Sequence, residues 1–214
     1  MRVSVVVPLC NRGRLFTKCV ESMDKALGPD DELVVADYES DDIDVKKLLE
    51  EKLPGRHYLA TIKRPFRICR GLNSGAMVAK GDIIFFTHAD CIHPPGLCDT
   101  VASKVSPGTV YFPIFGWLPK HPPGKIEWSP GAFGIVGVHR SDLLDWNESM
   151  DARWGYQDND YRNRMVATGK KLIRERIEGL LHVWHDHDRA ALQKHYAQSG
   201  AELANAPPYP KREA

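Results

Sequence analysis

The amino-acid sequence predicts an α/β fold, in which a doubly wound, mixed but mainly parallel sheet forms a single domain. Two observations indicate this class. Short runs of β-branched residues alternate with amphipathic segments along the first half of the chain, and polar loops follow three of these runs. A chain of 214 residues can bury the core of one such domain. In folds of this class, ligands bind beyond the carboxyl ends of the strands.

The first half shows the clearest alternation. Its two first strands are rich in valine, which suits strands that are buried on both faces. The first two helices end before a Gly-Pro and a Pro-Gly pair, because these residues rarely continue a helix. Strands are predicted at residues 3–8, 33–36, 57–62 and 82–87, and helices at residues 15–27, 45–53 and 73–79.

The second half has a weaker pattern. Residues 116–131 contain four prolines and two tryptophans, which predicts a long loop of the kind that often acts as a lid. The remaining expectations are a strand at 133–138, helices at 141–145 and 160–168, strands at 172–177 and 180–184, and a loose C-terminal tail at 205–214.

Composition excludes several classes of protein. The 29 Lys and Arg residues nearly balance 28 Asp and Glu residues, so a nucleic-acid partner is not expected. No apolar run is long enough for an integral membrane segment, although peripheral association is compatible with the sequence. The N-terminus leads directly into a strand, which argues against a secretory signal. Five cysteines without zinc-site spacing are expected to be reduced thiols in a cytoplasmic protein, and the oligomeric state is left open.

Asp90 follows the best-defined strand, as the last residue of Thr87-His88-Ala89-Asp90. A carboxylate at this position faces the expected ligand crevice, and hard oxygen ligands of this type hold Mg²⁺ or Mn²⁺ beside a pyrophosphate group. An equally good alternative is a purely structural role, in which Asp90 caps a turn before the two prolines that follow.

A second candidate group is the histidine-rich stretch that contains His182, His185 and His187. An imidazole that completes a site begun by Asp90 would favour Mn²⁺ over Mg²⁺. His185 is preferred to His182 as the ligand, because it lies just past the predicted strand end. The alternative is a group of solvated histidines, or an adventitious zinc site.

The segment from Arg153 to Arg162 combines a Trp154-Gly155 turn with two carboxylates, Asp158 and Asp160. An aromatic ring packs on the C–H face of a sugar, and a neighbouring carboxylate accepts a hydroxyl proton. The alternative is a helix N-terminus, with Asp158 near the cap and Trp154 in the core.

Two further polar groups lie near predicted strand ends. The carboxylate of Asp37 is suited to accept the N3–H of a uracil ring, whereas Asp41 and Asp42 are equally consistent with an Asx turn. Arg70 and Asn73 precede or open a small helix, where they are placed to meet diphosphate oxygens. A solvated basic face is the alternative for this second group.

Taken together, residues 3–187 resemble a nucleotide-sugar glycosyltransferase of the GT-A fold, family-2-like, closest to the galactosyltransferase and chondroitin-polymerase branch. Residues 3–12 are similar to the first strand and nucleotide loop of that family, and residues 36–42 to its Asp-x-x-Ser-x-Asp loop. Residues 71–82 are similar to its Arg-Asn-x-Gly helix and following glycine turn, and residues 88–90 stand where it has Asp-x-Asp. Residues 131–134 with 139–140, followed by residues 154–158, are similar to the acceptor segment of the branch, in which the pattern is Trp-Gly-x-Glu-Asp.

The resemblance implies a role for each matching residue. Asp158 is implied as the general base, Asp90 with His185 or His182 as metal ligands, and Trp154, Gly155 and Gln157 as contacts to the acceptor or the sugar. The implied nucleotide and donor contacts are Pro8, Cys10, Asn11, Arg12, Asp37, Ser40, Arg70, Asn73, His88 and Ala89. In domain terms, residues 1–204 form the glycosyltransferase domain, with a nucleotide-binding half at 1–90 and an acceptor and metal half at 109–187. Two positions depart from the family pattern, because His88 replaces an aspartate and Gln157 a glutamate.

The function implied by the resemblance is a metal-dependent, inverting transfer of a sugar in polysaccharide biosynthesis. The expected donor is a nucleoside-diphosphate sugar, with UDP favoured, and the acceptor is a hydroxyl of a glycan or glycoconjugate. The expected cofactor is Mn²⁺ or Mg²⁺. Alternatives are a sugar-phosphate nucleotidyltransferase, a catalytically idle nucleotide-sugar-binding module and, least favoured, a histidine-based metallohydrolase. The nucleotidyltransferase usually has a Gly-rich basic loop after its first strand, where this chain has only residues 11–14.

Overall fold

The computed structural model describes residues 1–121, 123–152 and 156–185. The strands are β1 (Val3–Leu9), β2 (Glu32–Asp37), β3 (His57–Thr61), β4 (Ile83–Phe86), β5 (Cys91–Ile92), β6 (Thr109–Tyr111), β7 (Ile114–Trp117), β8 (Glu127–Trp128), β9 (Val136–His139), β10 (Lys171–Ile173) and β11 (Arg176–His182). The α-helices are α1 (Gly13–Ala26), α2 (Val45–Lys52), α3 (Ile68–Val78), α4 (Leu97–Lys104) and α5 (Gln157–Ala167). Two 3₁₀ helices cover Arg140–Asp142 and Glu148–Ala152.

Seven strands form the main sheet, in the order β10-β6-β9-β4-β1-β2-β3. Strand β9 is antiparallel to both of its neighbours, β4 and β6, whereas the other neighbouring strands pair in parallel. The predicted mixed and mainly parallel sheet is therefore confirmed. Because β4, β1 and β2 lie side by side and parallel, their carboxyl ends open onto the same edge of the sheet.

The sheet is covered on both faces, as expected for a doubly wound fold. Every residue of β1 is buried, and its side chains alternate between two apolar clusters. Val5 and Val7 pack in the cluster that includes α1, α2 and α4, whereas Val6 packs in the cluster that includes α3 and α5. The β-branched run that predicted the first strand is thus the centre of the core.

A smaller four-stranded sheet, in the order β5-β11-β7-β8, lies at the ligand-binding edge. Strand β5 begins directly after Asp90, and β11 ends at His182. Antiparallel pairing sets His182 opposite Cys91, and the N–H of Val183 donates to the carbonyl oxygen of Asp90 at 2.8 Å. This small sheet therefore brings the predicted carboxylate and histidine ligands together.

Several predictions for the second half were inaccurate. Residues 116–131 are not one loop, because β7 and β8 pair as a hairpin across residues 118–126. The helix expected at 141–145 is a 3₁₀ turn at 140–142, and the strand expected at 133–138 begins only at Val136. Helix α4 and strand β6 were not predicted. Helix α5 begins at Gln157 rather than at residue 160, which places Asp158 in its first turn.

Some expectations fall on residues that the structure does not describe. Trp154, Gly155, His187 and the predicted tail at 205–214 lie outside the described residues. None of the described helices has the length and apolar character needed to cross a bilayer. All five cysteines are free thiols, and the cytoplasmic location inferred from them stays a prediction.

Candidate functional site

The loops that follow β1, β2 and β4 meet at the carboxyl edge of the main sheet. The backbone N–H of Asn11 donates to the Oγ of Ser40 at 3.0 Å, which joins the first two loops. The Nη1 of Arg12 donates to Oδ2 of Asp90 at 3.3 Å, which joins the first and third. The crevice that the sequence predicts at these strand ends is therefore present.

A cavity of about 560 Å³ occupies this crevice. Its apolar wall includes Phe66, Leu72 and Trp146, none of which the sequence analysis had identified as site residues. The predicted site residues that line it are Pro8, Cys10, Arg12, His88, Ala89, Asp90, Gln157, Asp158, His182 and His185. The proposed metal carboxylate and the proposed base thus share one chamber.

His88, Asp90 and His182 form a group that could hold a metal ion, because their ligand atoms all lie within 4.8 Å of one another. Atoms bound to a single ion at about 2.1 Å lie no more than about 4.2 Å apart, so only a small movement of side chains is needed. The Nδ1 atom of His182 is buried and has no hydrogen-bond partner among the described residues. One carboxylate and two imidazoles suit Mn²⁺. His182, rather than the preferred His185, belongs to this group of three.

Burial and hydrogen bonds determine the charges within this group. Burial opposes ionisation of Asp90, but hydrogen bonds from His182 and His185 outweigh it and hold the pKa of this carboxyl well below its usual range. Burial also lowers the pKa of His88, which keeps its imidazole neutral and a ring nitrogen available as a ligand. The site therefore presents an ionised carboxylate beside a neutral imidazole at physiological pH.

His185 lies at the rim of the same group. Its Nε2 is 3.1 Å from Oδ2 of Asp90 and 2.9 Å from Nη1 of Arg12. The guanidinium of Arg12 therefore contacts both Asp90 and His185, and it neutralises part of the carboxylate charge. Arg12 and His185 also line a second cavity of about 1100 Å³ on the side of residues 118–126.

Two aromatic side chains, Trp117 and Phe115, pack against the ring of His182. The ring centroid of Trp117 lies 4.0 Å from that of His182, and the indole N–H of Trp117 donates to the Oγ of Ser129 at 2.5 Å. Phe115 also faces the His182 ring, at 6.3 Å. The sequence pattern predicts a loop around Trp117 and gives no sign of its contact with His182.

Asp158 projects into the cavity from the first turn of α5. Its Oδ2 accepts the backbone N–H of Phe133 at 3.2 Å, and its Oδ1 accepts the backbone N–H of Asn159 at 2.9 Å. The carboxylate is thus oriented by two backbone donors but is not sealed in the core. It is in reach of a ligand hydroxyl.

Gln157 is buried beside Asp158 and contacts the surrounding backbone. Its Oε1 accepts the N–H of Tyr156 at 3.1 Å, and its Nε2 donates to the carbonyl oxygen of Met150 at 3.4 Å. These bonds tie the first residue of α5 to the backbone that precedes the helix. The sugar-binding role inferred for Gln157 from the resemblance stays a prediction.

Four of the predicted donor contacts, Asp37, Ser40, Arg70 and Asn73, are not among the residues that line either cavity. The carboxylate of Asp37 accepts the Oγ–H of Ser40 at 2.5 Å, and Asn73 hydrogen-bonds the Trp146 backbone through both ends of its amide. The backbone N–H of Arg70 donates to Oδ2 of Asp151 at 3.1 Å. The ligand contacts of these residues stay predictions.

Arg64 is a residue of this region that the sequence analysis missed. Its Nη2 donates to Oδ1 of Asn11 and to Oδ2 of Asp41, both at 3.0 Å, and its Nε donates to the carbonyl oxygen of Tyr38 at 3.2 Å. One side chain after β3 therefore ties the β1 and β2 loops together. No spacing pattern marks such a residue, because its bonds go to two loops that are distant in sequence.

The chain is similar in sequence to known glycosyltransferases. The family model described as Glycosyl transferase family 2 matches residues 4–122, which is more than half of the chain. Among curated proteins, the chain is 27% identical to mouse N-acetyl-beta-glucosaminyl-glycoprotein 4-beta-N-acetylgalactosaminyltransferase 1 over 72% of its own length and 16% of that protein. It is 23% identical to human chondroitin sulfate N-acetylgalactosaminyltransferase 2 over 86% of its own length and 40% of that protein. The chain therefore spans less than half the length of these relatives.

Solved structures share the fold at low sequence identity. The mannosyltransferase PcManGT from Pyrobaculum calidifontis, in complex with GDP-Man and Mn²⁺, matches with a TM-score of 0.66 and 18% identity, covering 98% of this chain and 66% of that one. S. aureus TarS 1-349 in complex with UDP matches with a TM-score of 0.70 and 13% identity, covering 98% of this chain and 67% of that one.

Proposed function

The chain belongs to glycosyl transferase family 2 and is a glycosyltransferase of the GT-A fold, and from this premise we propose that it transfers a sugar from a UDP-linked donor to a hydroxyl of a glycan. The transfer inverts the anomeric centre and requires Mn²⁺ or Mg²⁺. One observation carries the proposal: the ionised Asp90, His182 and the candidate base Asp158 line the same cavity of about 560 Å³. A cavity of this size suits a small ligand or the sugar end of a larger one.

The donor lies along the β1 loop. Pro8, Cys10 and Ala89 line the cavity and would contact the donor, and Arg12 would supply positive charge to the diphosphate. UDP is proposed as the nucleotide because Asp37 ends β2 beside this loop. One structural neighbour is in complex with UDP and another with GDP-Man, and a panel of nucleotide sugars distinguishes these bases.

Asp90 and His182, with His88 and His185 beside them, would hold the metal ion. When bound, the ion supplies positive charge that neutralises the diphosphate as it leaves. The aromatic rings of Trp117 and Phe115 restrict the orientation of the His182 imidazole. The orientation of this one imidazole is therefore constrained before any ligand enters.

Asp158 accepts the proton of the acceptor hydroxyl. The hydroxyl oxygen forms a bond to the anomeric carbon while the bond from that carbon to the phosphate oxygen breaks, and the electron pair of the broken bond stays on the diphosphate. Among the described residues that line the cavity, Asp90 and Asp158 are the carboxylates, and Asp90 is engaged by histidines. The absence of another carboxylate in this lining supports direct displacement with inversion.

The remaining roles concern the acceptor and water. Trp154, Gly155 and Gln157 are proposed to contact the acceptor or the transferred sugar. The hairpin loop at 118–126 is proposed to cover the donor, because it borders the second cavity next to Arg12 and His185. Covering the donor would limit its hydrolysis.

A panel of nucleotide sugars, with and without Mn²⁺, tests the proposal. We expect one UDP-sugar to raise the melting temperature, because a ligand that binds the folded state stabilises it. We also expect that sugar to be transferred to a glycan acceptor only when the metal is present. Release of pyrophosphate from a nucleoside triphosphate would instead indicate a nucleotidyltransferase. Binding without transfer or hydrolysis would indicate an idle binding module.

A further inference from the structure

The segment at residues 129–134 borders the cavity and contacts two residues of the candidate site. The backbone N–H of Phe133 donates to Oδ2 of Asp158 at 3.2 Å. Gly134 lies against His88 so closely that a Cβ atom there would be 2.8 Å from the imidazole ring. The position of this segment therefore determines both the orientation of the candidate base and the space available to His88.

The side chain of Arg174 makes several hydrogen bonds to the backbone of this segment. Arg174 lies between β10 and β11, and its Nε donates to the carbonyl oxygen of Pro130 at 3.0 Å. Its Nη2 donates to the carbonyl oxygens of Ala132 at 2.8 Å and Ser129 at 3.3 Å, and its Nη1 donates to that of Phe112 at 3.3 Å. A planar guanidinium can contact several carbonyl groups at once, and an ammonium group has no equivalent fixed geometry.

The Phe133 ring completes this arrangement. The guanidinium carbon of Arg174 lies 4.1 Å from the ring centroid, and that of Arg162 lies 4.4 Å from it. Phe112 meets the same ring edge-on at 5.4 Å. Both the side chain and the adjacent backbone of Phe133 are therefore fixed, which orients the N–H that Asp158 accepts.

Keeping a charge at position 174 is energetically costly. Burial, together with the nearby Arg162, lowers the pKa of Arg174, which means that the fold disfavours its positive charge. The carbonyl oxygens of the segment offset this cost. A guanidinium held in an unfavourable environment by the backbone of one segment is consistent with a role in positioning that segment.

We propose that Arg174 is a positioning residue for glycosyl transfer, which acts through the 129–134 segment to orient Asp158. The inference rests on the proposed function, because Asp158 is the proposed base. Arg174 is not among the residues that line either cavity, so its effect falls on the chemical step rather than on donor binding. Arg162 provides a matched comparison, because it stacks on the same ring but its guanidinium hydrogen-bonds the neighbouring Asn163.

The test compares Arg174→Lys and Arg174→Ala with Arg162→Ala. For both Arg174 variants we expect kcat to fall at least tenfold, with the KM for the donor and the affinity for UDP within twofold of the wild type. The lysine variant keeps the charge but loses the planar contacts, so it should not restore kcat. We expect Arg162→Ala to keep kcat within threefold. An unchanged kcat in Arg174→Lys, or a parallel loss of UDP affinity, would overturn the positioning role.

Hydrogen–deuterium exchange separates this inference from the proposed function. We expect the peptide that covers residues 129–134 to exchange at least tenfold faster in Arg174→Lys than in the wild type, and to be unchanged in Arg162→Ala. If the wild-type enzyme transfers no sugar, the proposed function fails, but the exchange measurement still decides whether Arg174 fixes the segment. Equal exchange in Arg174→Lys and the wild type would overturn the inference on its own.

Discussion

The Nε2 atom of His182 lies 3.2 Å from Oδ1 of Asp90, although the two residues are 92 positions apart in the sequence. Pairing of β5 with β11 holds them together, and the N–H of Val183 donates to the carbonyl oxygen of Asp90 at 2.8 Å. Backbone pairing of this kind leaves little freedom for either residue. The proposed metal group is therefore attached to a sheet rather than to loops alone.

We expect Asp90→Asn to weaken Mn²⁺ binding at least tenfold, because it removes the ionised oxygen ligand of the group. Binding should be measured by electron paramagnetic resonance of Mn²⁺ in the presence of UDP. The exposed Asp30 is a suitable control, since Asp30→Asn removes the same charge from a surface turn. EDTA should abolish transfer by the wild type, and added Mn²⁺ should restore it. Unaltered Mn²⁺ affinity in Asp90→Asn would rule out this residue as a ligand.

Asp158→Asn is expected to lower transfer by about 10²- to 10⁴-fold, because an amide cannot take up the acceptor proton. UDP affinity, measured by calorimetry, should change less than twofold. The matched control is Asp160→Asn on the same helix, where the carboxylate pairs with Arg164 at 2.8 Å and is not among the residues that line the cavity. If Asp158→Asn keeps its activity, the base has been misassigned.

Gly134→Ala tests the close packing of His88. The added methyl group would lie 2.8 Å from the imidazole ring, so the ring or the 129–134 segment must move. We expect a loss of unfolding free energy of about 1–3 kcal/mol and weaker Mn²⁺ binding. Gly131→Ala is the control from the same segment, because among the described residues nothing beyond its own chain neighbours lies within 4 Å of the methyl group it would gain. Equal behaviour of the two variants in urea unfolding and in Mn²⁺ titration would show that His88 tolerates the shift.

The first half of the fold was predictable because three of its strands, β1, β2 and β4, are fully buried and therefore mainly apolar in sequence. The valine-rich run of β1 is recognisable in the sequence, and the polar residues at strand ends follow from the parallel arrangement. Asp90 and Asp158 were identified because each lies close to a recognisable element. The resemblance to a known family added their chemical roles.

The remaining features depend on tertiary contacts that leave no local pattern. Strands β5 and β8 have two residues each, too few to show a period, yet β5 sets Asp90 opposite β11. Arg64 and Arg174 bind mainly backbone carbonyl groups and acidic or amide side chains from distant loops. The sequence does not distinguish these two arginines from other arginines near a strand end. The position of His88 beside Asp90 and His182 likewise depends on how β11 packs.

The buried His93 is expected to make the fold sensitive to acid. Its ring lies between Thr87, whose Oγ1 is 3.0 Å from Nε2, and Ser22, whose Oγ is 3.4 Å from Nδ1. Burial, with a smaller contribution from His88, lowers the pKa of His93 to about 3. The folded protein therefore keeps His93 neutral, whereas the unfolded chain protonates it near pH 6.5. This difference costs no stability above pH 6.5 and destabilises the fold progressively as the pH falls from 6.5 towards 3, by up to about 1.4 kcal/mol per pH unit.

Urea unfolding of the wild type and of His93→Gln between pH 8 and pH 4 measures this contribution. We expect the variant to be less stable at pH 8, because it loses buried hydrogen bonds, but to lose less stability on acidification. The difference between the two proteins should therefore be constant above pH 6.5 and should narrow below it. Thr87→Val is the control, since it removes a hydrogen-bond partner of His93 but no titratable group, and its difference from the wild type should vary little with pH. A constant difference for His93→Gln down to pH 4 would show that His93 does not resist protonation in the folded protein.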